Sequence, residues 1–124
     1  MQEMLAPSSY MRGLGLYSKC FMITDGRYSG TNYGLCIGHI SPEAADGGLL
    51  AVVRDGDMIE IDIPNRGISL DLDDRELGQR LARWKPPEPK YDRGILSRYA
   101  EHVTSSDRGA VLEPRRSAGR RGSS

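Results

Sequence analysis

The spacing of apolar residues changes along the chain, and each change marks an element. The most regular stretch is "GLLAVVRDGDMIEIDIPNRGISLDL", residues 48–72. Residues 49–54 read as a first strand and Asp55-Gly56 as a turn pair. Across residues 58–63, Ile59, Ile61 and Ile63 fall on one side and Met58, Glu60 and Asp62 on the other, the period-two alternation of a half-buried strand. Pro64-Asn65-Arg66-Gly67 is a second turn, after which Ile68, Leu70 and Leu72 continue the alternation. An antiparallel meander of this kind has one apolar face and needs a second layer to cover it.

Upstream, residues 1–18 are irregular, with Pro7-Ser8-Ser9 and the glycines at 13 and 15; part of this segment could form a short helix, without a clear cap. Residues 19–24 look like a buried strand that runs into a loop at Asp25, and residues 35–40 form a second short apolar segment. Ser41-Pro42-Glu43 reads as a helix start, with serine as N-cap, proline at the first helical position and an acid in the first turn; Gly47-Gly48 ends it. Downstream, Asp73 caps a helix with Glu76 three residues later, and Leu77, Leu81 and Trp84 share one face. Pro86-Pro87 and Pro89 stop that helix and make a stiff connector. A further helix is expected over residues 94–102, with Ile95, Leu96, Tyr99 and Val103 facing inward, followed by a polar turn and a small apolar hook in "SSDRGAVL". The chain contains no internal repeat.

A length of 124 residues allows one domain at most. The formal net charge is zero, so overall charge argues for neither a nucleic acid nor a membrane surface as partner. The charge is unevenly placed: "RRSAGRRGSS" at the end holds four arginines and no acid. That tail lacks large apolar residues and is expected to be disordered and solvated. No apolar run is long enough to span a bilayer, and the N-terminus lacks the basic start and apolar centre of a signal peptide, so a cytoplasmic location is the default expectation. Cys20 and Cys36 are isolated, with no CxxC pair, and read as buried thiols; two cysteines cannot hold a zinc ion or an iron–sulfur cluster by themselves.

Candidate chemistry concentrates in "DGRYSGTNYG", residues 25–34. Gly26, Gly30 and Gly34 let the backbone take positive φ and approach a ligand closely. Backbone N–H groups in such a loop favour a carboxylate or phosphate, to which Ser29 and Thr31 add hydroxyls and Asn32 an amide. The pattern is not a P-loop, because no Lys-Ser/Thr pair follows the last glycine. It is not a hydrolase elbow, because Ser29 lacks the GxSxG frame.

Several stretches, in order, resemble the C-terminal end of the dihydroxy-acid and sugar-acid dehydratases: "QEML", "ITDGRYSGTNYGLCIGHISPEAADGG", "AVVRDGDMIEIDIPNR" and "WKPPEPKYDRGILSRYAEHVTSSDRGAV". The resemblance implies a mixed α/β fold of the swivelling β/β/α type, with a partly barrel-like antiparallel sheet and short helices. It implies a hydro-lyase that converts a 2,3-dihydroxy carboxylic acid to a 2-oxo acid with an iron–sulfur cluster and a magnesium ion (Mg2+). Ser29 falls where the family has its serine base, which needs a cation and nearby donors to exist as an alkoxide. Thr31 falls where a threonine assists that serine, and Ser29, Gly30 and Asn32 lie in the substrate-binding loop. Glu3 falls where the family has a magnesium-binding glutamate, and carboxylate oxygen suits that ion.

The match also departs from the family. Members of the branched-chain type usually read Ser-Gly-Gly-Thr-Arg-Gly where this chain has Ser29-Gly30-Thr31-Asn32-Tyr33-Gly34. Loss of the arginine removes a bidentate carboxylate partner and brings a sugar acid such as an aldonate into consideration, whereas the segment around "PPEPKYDRGILSRYA" is similar to the dihydroxy-acid type. The cluster ligands of the family lie in an N-terminal domain. The chain is therefore expected to be a C-terminal fragment, inactive alone, with residues 1–112 an incomplete domain and 113–124 a basic tail. Its expected partners are a small hydroxy acid and the missing cluster domain, or a separate chain carrying it, in an assembly that is homo-oligomeric in full-length relatives. The rival reading is a non-catalytic remnant or an interaction module that docks on a full-length dehydratase. Outside the loop, His39 reads as locally bonded, Asp25 as a residue that orients Arg27 or the loop backbone, and Asp55, Asp57, Glu60 and Asp62 as solvated charge on strand faces.

Overall fold

The two apolar runs on either side of the glycine loop lie side by side. In the computed structural model, which describes residues 4–30 and 32–113, β1 (Met22–Ile23) and β2 (Cys36–Ile37) pair in parallel. Met22 stands opposite Cys36 and Ile23 opposite Ile37. Backbone bonds from Met22 N–H to the Leu35 carbonyl and from Thr24 N–H to the Ile37 carbonyl, both 3.0 Å, extend the pairing. Parallel neighbours need a crossover of about a dozen residues or more. Residues 24–35 are that crossover, so the glycine-rich loop is the link that the pairing requires.

The chain divides into two compact units, Met1–Pro87 and Glu88–Ser124. In the first, α1 (Leu5–Gly13) precedes β1, and β3 (Ile59–Asp62) and β4 (Gly67–Leu70) form an antiparallel hairpin with Ile59 opposite Leu70 and Asp62 opposite Gly67. α2 (Asp74–Arg83) follows, and the Asp73 carboxylate accepts from the Glu76 N–H at 2.7 Å, as its pattern predicts. Trp84 packs where a Cβ on Gly47 would meet its ring at 3.2 Å. Val52, 7 % exposed, is the buried hydrophobic residue among those described.

Three expectations change. Residues 49–54 are not a third strand: Leu49–Ala51 is a 3-10 turn, and the Val52 carbonyl accepts from Arg80 Nη1 at 3.1 Å instead of from a ladder partner. The expected helix at Ser41 is a single 3-10 turn, Ala44–Asp46, with Glu43 and not Ser41 at the cap position. The carboxylate of Asp25, reaching from the loop, accepts from the Ala44 N–H at 2.7 Å, and Gly47 (φ 82°) closes the turn three residues later. The sheets are two separate pairs, one of them parallel, so the architecture is mixed α/β with short helices, and no barrel closes among the described residues.

In the second unit, α3 (Gly94–His102) occupies the expected residues, and a bridge from Val103 to Leu112 folds the apolar hook back around a turn at Ser106–Arg108. Ile95, Leu96 and Tyr99, expected to face inward, are exposed, Ile95 by 68 %. An apolar helix stripe predicts burial, but the described part of this short unit supplies no second layer to cover it. No helix of the described residues is long and apolar enough to cross a membrane. The expected disordered tail lies outside the described residues, except for Glu113.

Candidate functional site

The crossover loop is held at both ends. At its start the Thr24 hydroxyl oxygen accepts from the Gly26 N–H at 2.9 Å, and the Gly26 carbonyl accepts from the His39 N–H at 2.9 Å. The Tyr28 hydroxyl donates to the Met22 carbonyl at 3.3 Å, and its ring covers Gly38, where a Cβ would stand 3.1 Å from it. Burial raises the Tyr28 phenol above its ordinary pKa, with a smaller contribution from Cys36. At the far end Gly34 (φ 77°) lies so close to Tyr17 that a Cβ would be 2.2 Å from the Tyr17 carbonyl oxygen. Tyr33 packs edge-on against Tyr17 with ring centroids 6.4 Å apart, and the Arg12 guanidinium sits 3.8 Å above the Tyr33 ring centroid and donates to its hydroxyl.

Between these anchors lies Ser29. Its side chain is half-buried, and among the described residues nothing hydrogen-bonds its hydroxyl. Gly30 follows with φ 73°, a left-handed conformation that favours glycine. Asn32 accepts from the Ser8 hydroxyl at 3.1 Å. Ser29, Gly30 and Asn32 therefore share one loop that is fixed from outside and open at its serine. Thr31 and Glu3 lie outside the described residues. Met4, next to Glu3 in sequence, donates its N–H to the Arg27 carbonyl at 3.3 Å.

Several charged residues have structural partners. Asp25, expected to orient Arg27 or the loop backbone, instead accepts from the Ala44 N–H outside the loop. Asp57 is not solvated: both its oxygens accept from Arg80, at 2.5 and 3.0 Å, and Arg80 also binds Glu76 at 2.6 Å. Hydrogen bonding to Arg80, then to the Arg54 N–H, holds the Asp57 carboxyl below its ordinary pKa. Asp62 is likewise lowered by Asn65. His39 has positive φ (58°) and an exposed side chain. Cys20 is exposed, so the reading of both cysteines as buried fails for it, and Cys36 is intermediate. Sequence reasoning missed Ser8 and Arg80. Ser8 gave no signal beyond a polar triplet, whereas the i,i+4 pair of Glu76 and Arg80 was visible in the helix pattern.

Among the described residues no group of three or more His, Cys, Asp or Glu could hold a metal ion. The described residues therefore do not fit a magnesium ion or an iron–sulfur cluster by themselves.

This arrangement defines a mixed α/β domain that presents a single serine on a glycine-bracketed crossover loop. The family described as dihydroxy-acid/6-phosphogluconate dehydratase C-terminal matches residues 1–110, and the chain belongs to it. It is 53 % identical over 113 residues to a dihydroxy-acid dehydratase of Thermodesulfovibrio yellowstonii, covering 91 % of this chain and 20 % of that protein. It is 54 % identical over 112 residues to a dihydroxy-acid dehydratase of Agathobacter rectalis, covering 90 % of this chain and 20 % of the relative. A third, from Syntrophotalea carbinolica, is 53 % identical over 115 residues, covering 93 % of this chain and 21 % of the relative. The chain thus spans about a fifth of the length of the curated relatives it matches.

Proposed function

We propose that the chain is the base-bearing C-terminal portion of a hydro-lyase that converts a 2,3-dihydroxy carboxylic acid to a 2-oxo acid. The observation that carries this reading is the Ser29 hydroxyl, without a hydrogen-bond partner among the described residues, on a loop pinned at both ends, in a chain matched over residues 1–110 by a dehydratase family. In the reaction Ser29 Oγ, as alkoxide, takes the proton from C2, the C3–O bond breaks, and a C2=C3 double bond forms. The leaving hydroxide takes up the proton that Ser29 Oγ accepted and departs as water, which restores the alkoxide, and the enol tautomerises to the 2-oxo acid. An alkoxide needs stabilising donors, a role this reading gives to backbone N–H groups of the loop. The iron–sulfur cluster and the other magnesium ligands belong to the remainder of a full-length protein or to a partner chain, with Glu3 contributing one carboxylate to the metal. Thr31 assists Ser29, and Gly30 and Asn32 contact substrate.

The names of the relatives favour a dihydroxy acid over an aldonate, although Thr31-Asn32-Tyr33 keeps the sugar acid as the second substrate to test. The same reading places the complete enzyme in the cytoplasm as a homo-oligomer, inactive when reduced to these residues. The test joins residues 1–113 to the portion of the Thermodesulfovibrio relative that this chain does not match. The chimera should release 2-oxo acid, and Ser29→Ala should abolish turnover while iron content and assembly are kept. Normal turnover in Ser29→Ala would show that another group is the base.

A further inference from the structure

The first turns of α1 touch the loop at three points that bracket Ser29. The Met4 N–H donates to the Arg27 carbonyl at 3.3 Å, two residues before it. The Leu5 side chain lies 3.5 Å from where a Cβ on Gly30 would stand, one residue after it. The Ser8 hydroxyl donates to Asn32 Oδ1 at 3.1 Å, three residues after it. Ser8 is 1 % exposed and is the fully buried side chain among the described residues.

The burial of a hydroxyl at this place has a direction. A helical serine can satisfy itself on the carbonyl one turn back, and Ser8 has that option in the Leu5 carbonyl at 2.9 Å. Ser8 therefore does not need Asn32. The bond matters to the loop, which has no ladder partner among the described residues between 27 and 34. With one proton the hydroxyl serves Leu5 or Asn32 at a given moment, so the contact is a latch that can open without leaving Ser8 unsatisfied.

We propose that Ser8 is a positioning residue: through Asn32 it fixes the loop so that the Ser29 hydroxyl keeps one direction relative to the start of α1. The inference rests on the reading of Ser29 as the base. A base misplaced by about an ångström can cost on the order of 100-fold in rate without any loss of substrate contacts.

Two measurements test it. In the chimera, Ser8→Ala should lower kcat by about 10- to 100-fold and leave KM unchanged, with only a small loss of thermal stability. Asn32→Ala, which also removes a substrate contact, should lower kcat and raise KM, and the double variant should be no slower than Asn32→Ala alone, because both changes remove the one contact between Ser8 and the loop. Unchanged kcat, a rise in KM alone, or effects that multiply in the double variant would overturn the proposal. A chimera inactive with both residues intact would overturn the reading of Ser29 and this inference with it. In the 124-residue chain itself, Ser8→Ala should speed amide hydrogen exchange in residues 27–34 and leave α2 unchanged. Equal exchange in that loop would remove the latch whatever the chimera does.

Discussion

Gly34 and Gly56 both have positive φ, 77° and 93°, yet their surroundings differ. A Cβ on Gly56 would meet nothing within 4 Å, whereas one on Gly34 would lie 2.2 Å from the Tyr17 carbonyl oxygen. Alanine at either site takes on the left-handed backbone, which costs roughly 1–2 kcal/mol. At Gly34 the loop must also retreat from Tyr17 by about 1 Å to reach an ordinary contact, and overpacking of that kind costs typically ~1–3 kcal/mol more. Gly56→Ala is therefore expected to destabilise by about 1–2 kcal/mol and Gly34→Ala by about 2–5 kcal/mol. Trp84, the single tryptophan, belongs to the same unit as both glycines, so its fluorescence in a urea titration reports the relevant unfolding. Equal losses of stability in the two variants would refute the reasoning, because they would mean that the loop does not close on the Tyr17 carbonyl.

Two further outcomes follow from individual side chains. The Asp57 carboxyl is held low when folded, so its contribution to stability is complete above its unfolded pKa of about 3.9 and is lost as pH falls through the folded value. Asp57→Asn should lose stability at neutral pH and show a shallower acid dependence in thermal melts; an acid profile parallel to the parent's would exclude the Arg80 pair as its source. Asp73→Ala removes the cap bond to the Glu76 N–H and should lower stability by about 1 kcal/mol, with Asp73→Asn close to neutral, as read by urea unfolding.

The buried Arg80 shows how the first unit compensates for a small apolar core. Its guanidinium spends its donors on Asp57, Glu76 and the Val52 carbonyl, and so joins α2 to the residues that precede the hairpin. A buried cation of this kind must find several acceptors to offset its desolvation. Here it binds the Val52 carbonyl next to the 3-10 turn Leu49–Ala51, and residues 59–70 pair as a hairpin without a third strand among the described residues.

The amino-acid sequence by itself determined the elements whose causes are local. Asp73 and the apolar spacing after it specify α2, the alternation around Ile59 and Ile61 with the turn at Pro64 specifies the hairpin, and the stop at Pro89 followed by an apolar stripe specifies α3. The family and the loop with its serine were legible too, because short motifs are read along the chain. Tertiary structure alone decided what depends on residues far apart in sequence. The parallel pairing of β1 with β2 spans the whole loop, Asp25 caps a turn 19 residues away, Arg80 reaches Asp57 across 23 residues, and Ser8 reaches Asn32 across 24. Periodicity and capping patterns reflect the few dihedral states of neighbouring residues, so they carry no information about which distant groups meet. Those meetings are set by how the chain closes its loops and satisfies its buried polar groups, and they are what turn a serine between glycines into a fixed one.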